Sequence, residues 1–407
     1  MQCATTKFTR RRALGMTAAT LALAKPAILR AQSGEPIRIG LLSDVAGPYR
    51  NVGGIGGKIA VEMAVEDFGG TLLGRPIEVE QSDIQNKPDI ASAKAREWAD
   101  AGFSLLVDGG ATSSGLAVQE VSNAKKVIYI GNGPSATDFT GKFCTPYSFR
   151  FWGDTYSLSK GTAEALTKAG GTSWFFITAD YQFGYSLQAN AERFIKSAGG
   201  SVLGSVRAPL GTADFSSALL QARTSGAKVV AFANAGADLQ NCIKQAAEFG
   251  IVKGGQSLAT LVMFVTDVVL LGQQVCEGLT LTNSFYWDMT PKTRAWTARF
   301  SPRTNLPPTM TQAANYSGAL HWMTAVKAAG TLDADAVAAK MHALPVNDFY
   351  NDRVPMQPNG QAQMPMHVWR VKPASQSTHK WDFYAPIGTL AGKDAFTPLA
   401  ETGCKLS

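Results

Sequence analysis

The sequence predicts an α/β fold in two lobes of like topology, each a parallel sheet covered by helices on both faces. Three observations carry this expectation. Short, nearly continuous apolar runs rich in β-branched residues alternate with amphipathic stretches, the mark of parallel strands buried on both sides. The alternation restarts at "SWFFITAD", residues 173–180. The chain has 407 residues, enough for two full hydrophobic cores.

The elements follow in order. "IRIGLLS" (37–43) reads as the first strand, followed by a helix with Ile55, Ile59 and Met63 on one face. Then come strand "PIEVEQS", a helix opened by Pro88, strand "SLLVDGG", helix "SGLAVQEVSNA" and strand "VIYIGN". The second round has the strand at 173–180, a helix from about Tyr185 to Ser197, strand "SVLGSVRAP", a helix after Asp214 and strand "AKVVAFANAG". Its last helix, "DLQNCIKQAAEFG", is expected to be capped by Asp238 and ended by Gly250. Beyond Asn283 the pattern is mostly helical: one helix begins at Thr290-Pro291, one ends at Gly330, and one is stopped by Pro345. "MPMHVWRVK" and "KWDFYAP" read as two late strands.

The first 31 residues stand apart. "TRRRALG", a short apolar run from Ala13 to Ala24 and "KPAILRA" make an export signal resembling the twin-arginine type, with cleavage expected after Ala31. This stretch carries Lys7, Arg10, Arg11, Arg12, Lys25 and Arg30 and no acid, so without it the formal charge falls from +7 to +1. The charge of the remaining chain therefore gives no argument for nucleic acid or a membrane surface. Four cysteines remain, Cys144, Cys242, Cys276 and Cys404, with no CxxC pair. Three pairings are open, and a Cys144–Cys404 bridge, which would tie down the C-terminal tail, is the preferred one. The histidines are scattered without metal-ligand spacing, so no metal and no cofactor are expected.

The loop "GPYRNVGGIGGKIA" (47–60), between the first strand and helix, raises the question of a nucleotide. A phosphate loop needs a glycine at the position of Val52 and a hydroxyl at that of Ile59, and has neither. The dinucleotide fingerprint fails at Ile59 as well; only Asp83, at the end of the second strand, is placed where a ribose would be held. An NAD-dependent dehydrogenase is therefore the weaker alternative. "GGATSSG" has the wrong spacing for a nucleophile elbow. Asp44, Asp108 and Asp180, at strand ends, read as capping and turn residues, so no enzyme activity is expected. The loop instead suits the wall of a small-molecule cleft at the carboxyl ends of the strands.

Six stretches, "IRIGLLSDVAGPYRNVGG", "KIAVEMAVEDFGG", "DIQNKPDIASAKAREWADAG", "ATSSGLAVQEVSNAKKVIYIGNGPSATD", "WFFITADYQFGYSLQANAERFIKSAGG" and "DFSSALLQARTSGAKVVAFANAGADLQNCIKQAAEFG", together resemble the leucine/isoleucine/valine-binding protein family. These are solute receptors of ABC importers, and the resemblance covers nearly all of residues 36–400. It implies two Rossmann-like lobes joined by a three-strand hinge, with lobe one at 36–153 plus 286–363 and lobe two at 154–285 plus 364–407. It also implies a periplasmic monomer that closes over one small ligand and presents the closed form to a membrane permease; a ligand sensor of the same fold is the alternative.

By position, the resemblance places Thr112, Ser113, Gly133 and Ser135 on the ligand carboxylate. Tyr49 and Phe183 become aromatic walls, and Trp152 and Tyr156 flank the crossing. Two positions depart from the family pattern. The aromatic expected in the loop after the third strand of lobe two is Ala235, beside Asn234, and the acid expected in the next loop falls near Leu261, with Phe264 close by. Without that acid an ammonium ion would be a costly buried charge. The expected ligand is thus a small carboxylate or amide, an aromatic acid among the candidates.

Overall fold

The computed structural model describes residues 34–406; the expected export signal lies outside them. Two parallel sheets form separate halves. The first runs β2-β3-β1-β4-β5-β6, from β1 (Ile37–Ser43), β2 (Thr71–Leu72), β3 (Arg75–Asp83), β4 (Leu105–Asp108), β5 (Ile128–Ile130) and β6 (Ser148–Phe149), with only the short β2 antiparallel. The second runs β10-β9-β7-β8, from β7 (Ser173–Ala179), β8 (Ser201–Ala208), β9 (Val229–Ala233) and β10 (Ser257–Thr260). A small antiparallel sheet joins β11 (Thr280–Asn283), β12 (Met366–Val371) and β13 (Tyr384–Leu390).

Alternation along the strands makes the sheet two-faced. Ile37, Ile39 and Leu41 of β1 and Leu105 and Val107 of β4 enter the large core, which also takes Val61, Met63 and Ala64 and the helix Met310–Ala329. Leu42 and Leu106 point the other way, into a second cluster with Ala91, Ala95, Trp98, Val118 and Val121. Full burial on both faces is why these strands are unbroken apolar runs.

In each sheet the strand order reverses at the middle. The chain steps from β1 out to β3 and then back to β4; in the second sheet it steps from β7 to β8 and back to β9. Loops leaving the carboxyl ends of β1 and β4, and of β7 and β9, diverge there and leave a crevice.

The chain passes between the halves three times: after β6, after β11 and before β12. The first and third passages run side by side. Arg150 N–H donates to the Gly360 carbonyl at 2.8 Å, and Ala362 N–H to the Arg150 carbonyl at 3.0 Å. The Arg150 side chain is fully buried. Its Nε donates to Gln361 Oε1 at 2.7 Å, its Nη1 to the Ala136 carbonyl at 2.9 Å, and its Nη2 to Thr140 Oγ1 at 2.7 Å and Asp154 Oδ2 at 3.4 Å. Asp154 also caps the helix Thr155–Lys168 through Ser157 N–H. Burial lowers the guanidinium pKa to about 10, which leaves it charged at neutral pH.

The C-terminal tail straps across both halves. A disulfide joins Cys404 to Cys144, Glu401 pairs with Arg193, and Lys160 Nζ donates to the Asp394 carbonyl. Cys242 and Cys276 are free and buried.

Several local expectations shift. The helix expected to be capped by Asp238 starts two residues earlier, at Gly236, and Asp238 instead accepts from Gly211 N–H at 3.1 Å. The final strand begins at Tyr384, because Asp382 is held in the preceding turn by Lys372 and Thr378. Strands β10 and β11 are only four residues each, too short to stand out as periodic runs.

Replacing Arg150 by alanine is expected to lower the unfolding free energy by about 3–5 kcal/mol, because Asp154 would remain buried without its cation. Urea unfolding checks this; a change below ~1 kcal/mol would mean that the crossing does not depend on the guanidinium.

Candidate functional site

The crevice between the halves encloses about 470 Å³ of unfilled space, mouth included. One wall comes from the carboxyl ends of the first sheet, with Asp44, Tyr49, Gly53, Asp108, Thr112, Asn132, Gly133 and Ser135; Trp152 stands at the crossing. The opposite wall carries Tyr181, Phe183, Ala235, Val262 and Phe264. The rings of Trp152 and Phe264 lie 6.3 Å apart and those of Tyr181 and Phe183 5.8 Å, so much of the lining is aromatic.

The halves touch around this space. The Tyr49 and Tyr181 hydroxyls are 2.6 Å apart, Ala237 N–H donates to the Pro48 carbonyl at 3.1 Å, and Thr266 Oγ1 donates to the Asn51 carbonyl at 3.4 Å. Deeper in, Thr137 N–H donates to Ser186 Oγ at 3.3 Å, and Gln182 Nε2 donates to Asp138. Burial, reinforced by the Tyr49–Tyr181 contact, raises the Tyr49 pKa, so the phenol stays a neutral hydrogen-bonding group.

The polar end is built on the helix Thr112–Lys125. No side chain caps it, so its first-turn N–H groups stand open beside the cavity. The positive end of the helix dipole favours an anion there. Thr112 Oγ1 accepts from Ser135 N–H at 3.2 Å and Ala136 N–H at 3.4 Å, which fixes the Gly133–Ser135 turn against the helix. Two buried groups on lining residues, Trp152 Nε1 and Thr311 Oγ1, lack a hydrogen-bond partner among the described residues.

The glycine-rich loop serves close approach. A Cβ on Gly53 would stand 2.5 Å from Asp108 Oδ2, and one on Gly133 would stand 2.8 Å from Asp108 Oδ1. Only glycine lets both loops close over this carboxylate. Asp83 is a loop anchor, accepting from Val45 N–H at 3.3 Å and Gln85 N–H at 2.9 Å. Asp44 is saturated by Gly47 N–H, Tyr49 N–H and Asn86 Nδ2, and Asp180 accepts from the Tyr185 hydroxyl.

Asp108 departs from the turn role expected of it. It is 3% exposed, sits at φ +79° and lines the cavity; its backbone carbonyl accepts from Gly133 N–H at 2.9 Å and the Tyr129 hydroxyl at 3.0 Å, but its carboxylate accepts one long 3.4 Å bond, from Gly110 N–H. Burial pushes its carboxyl up to about 7; the Gly110 N–H opposes this and the Asp44 charge adds to it. The cavity therefore holds a carboxylate after all, supplied by the first half. At the place where an acid was looked for in the second half, Leu261 is buried and Val262 lines the space.

Of the residues singled out in the sequence, the cavity brings together Tyr49, Thr112, Gly133, Ser135, Trp152, Phe183 and Phe264. Three lie elsewhere. Ser113, the next residue of the helix, is half-buried and is not part of the lining. Tyr156 packs edge-on against Phe194, with ring centroids 4.8 Å apart. Asn234 is buried behind the wall, its Nδ2 3.2 Å from Cys242 Sγ. Sequence reasoning missed Asp108, Asn132, Tyr181 and Thr311. A strand-end position marks Asp108 and Asn132, and Tyr181 lies two residues before Phe183, but Thr311 comes from a distant helix with no local signal.

Residues 36–378 match the family described as periplasmic binding protein. The chain belongs to that family, a family of solute-binding proteins. It is similar to a periplasmic binding protein from Burkholderia mallei, at 44% identity and a TM-score of 0.89, covering 91% of this chain and 99% of that one. A branched-chain amino acid ABC transporter periplasmic ligand-binding protein from Burkholderia xenovorans LB400 is 33% identical, with a TM-score of 0.81 over 91% of this chain and 99% of that one. A Leu/Ile/Val-binding protein homolog 4 from Brucella abortus (strain 2308) is 24% identical over 184 residues, 43% of this chain and 44% of that protein. The match thus spans less than half the length of that curated relative. The leucine/isoleucine/valine-binding likeness and the two-lobed fold agree with these findings. Among the described residues no helix is long and apolar enough to cross a membrane.

Asp108 gives a pH signature. Its folded pKa lies above the ordinary carboxylate value, so the folded state binds the proton more tightly than the unfolded state. The ligand-free protein therefore gains stability from this group as pH falls from about 7 toward 4. Asp108→Asn is expected to raise Tm by a few degrees at pH 8 and to flatten the Tm difference between pH 8 and pH 5. Calorimetric scans at both pH values check this, and an unchanged Tm at pH 8 would contradict it.

Proposed function

We propose that this chain is the exported, periplasmic solute-binding component of an ABC importer. It captures one small ligand between its halves, and the closed form is what the membrane permease recognises. The N-terminal basic and apolar stretch supports export by a twin-arginine-type route. The protein acts as a monomer, with lobe one at 36–153 plus 286–363 and lobe two at 154–285 plus 364–407.

The observation that carries the reading is an aromatic-lined cavity walled from both halves, with the uncapped N-terminus of the helix Thr112–Lys125 on its wall. A ligand in contact with both walls gains interactions that exist only when the halves meet, and that difference in affinity is what drives closure. The open N–H groups, Thr112 and Ser135 favour a carboxylate or amide oxygen. The rings of Tyr49, Trp152, Phe183 and Phe264 favour an apolar body, branched or aromatic. Branched-chain amino acids, named for the Burkholderia xenovorans relative, fit this description.

A thermal-shift panel of small carboxylates, amides, amino acids and nucleotides tests it. One compound of the first three classes is expected to raise Tm, a ligand at a thousand times its Kd contributing about 4 kcal/mol. Trp152→Ala and Ser135→Ala are expected to weaken that compound about tenfold or more. A response to nucleotides alone would overturn the reading.

A further inference from the structure

No lysine, arginine or histidine lines the cavity, yet two carboxylates do. They are not equivalent. Asp44 already accepts from two backbone N–H groups and an asparagine amide, at 2.6, 2.8 and 2.5 Å. Asp108 has one long contact to Gly110 N–H and no cation. A carboxylate removed from water and left short of donors carries a desolvation cost that a ligand donor would offset.

Its placement is built in. Asp108 ends β4, paired to Leu42 of β1, at the point where the strand order reverses. Its backbone sits at φ +79°, a conformation that side-chain-bearing residues rarely adopt. Its oxygens are flanked by Gly53 and Gly133, where any side chain would collide. The open N–H groups of the next helix begin only four residues later, at Thr112. An acceptor and a set of donors thus stand side by side at the same end of the cavity.

We propose that Asp108 is the specificity-determining acceptor of the cleft: it takes a hydrogen bond from an N–H on the ligand head, and so selects ammonium- or amide-bearing solutes over plain carboxylates of the same shape. It takes over, from the first half of the molecule, the role of an acid that the second half lacks at Leu261. A plain carboxylate seated on the helix N-terminus brings no donor to Asp108 and meets a like charge. A site holding an unmatched polar group discriminates strongly against the analogue that lacks the partner. The proposal deepens the function above and rests on the cavity being the solute site.

Isothermal titration of shape-matched pairs tests it: leucine against isocaproate, phenylalanine against hydrocinnamate, and benzamide against benzoate. Each pair is titrated into the wild-type protein and into Asp108→Asn, Ser135→Ala and Trp152→Ala variants. In the wild type, the N–H-bearing member of at least one pair is expected to bind about tenfold tighter or more than its partner. Asp108→Asn is expected to cut that ratio about tenfold, while Trp152→Ala weakens both members alike. Plain acids binding as tightly as their partners, the absence of binding by every N–H-bearing member, or a ratio unchanged by Asp108→Asn would each overturn the role of Asp108. Binding lowered by Ser135→Ala and Trp152→Ala but indifferent to Asp108→Asn would leave the cleft standing and remove Asp108 alone. Binding indifferent to all three variants would remove the cleft as well. The wild-type comparison stands by itself if a variant fails to fold.

Discussion

A fully buried guanidinium stands where the chain first leaves the six-stranded sheet. Arg150 hydrogen-bonds the neighbouring passage through Gln361, the loop at Ala136 and Thr140, and the cap of the next helix through Asp154. Taking such a cation out of water costs several kcal/mol, and only a complete set of acceptors makes it tolerable. The same acceptors belong to the parts that must meet at the crevice: the segment carrying Gly133 and Ser135, the Trp152 crossing, and the start of the second half. The cleft is positioned by polar contacts at its root, and its apolar lining fills the space they leave.

The strands and helices around the cleft were legible because each is buried on a regular face. β1, β4, β7 and β9 are unbroken apolar runs, and their carboxyl ends fixed where to look for a site. Legibility fails where tertiary contacts decide. Asp238 looks like a helix cap by its neighbours in sequence, but the nearer claim is Gly211 N–H, from a segment that only folding brings alongside. Asp108 and Asp44 are indistinguishable as strand-end aspartates; one is saturated by donors and the other is not, and no spacing records that difference. Thr311 reaches the cavity from the helix Met310–Ala329, which follows the second parallel sheet in the chain yet packs against the first half.

The glycine-rich loop that invites a nucleotide reading shows how composition underdetermines chemistry. Phosphate loops and this loop both use glycine for close approach of backbone. Here the approached group is the protein's own Asp108 carboxylate, and the loop carries Tyr49 across to Tyr181 on the other half. A buried acid beneath the loop is the opposite of what a pyrophosphate requires.

The central claim is that a solute in this cavity holds the two halves together. Spin labels on cysteines introduced at Ile55 and Leu220, exposed positions on the first and second halves, report the separation directly, and Cys242 and Cys276, the free cysteines among the described residues, are buried. Double electron–electron resonance, run with and without a solute that raises Tm, is expected to give a shorter and narrower distance distribution in its presence. Distributions that coincide would contradict the account, since a solute that leaves the separation unchanged is not bridging the halves.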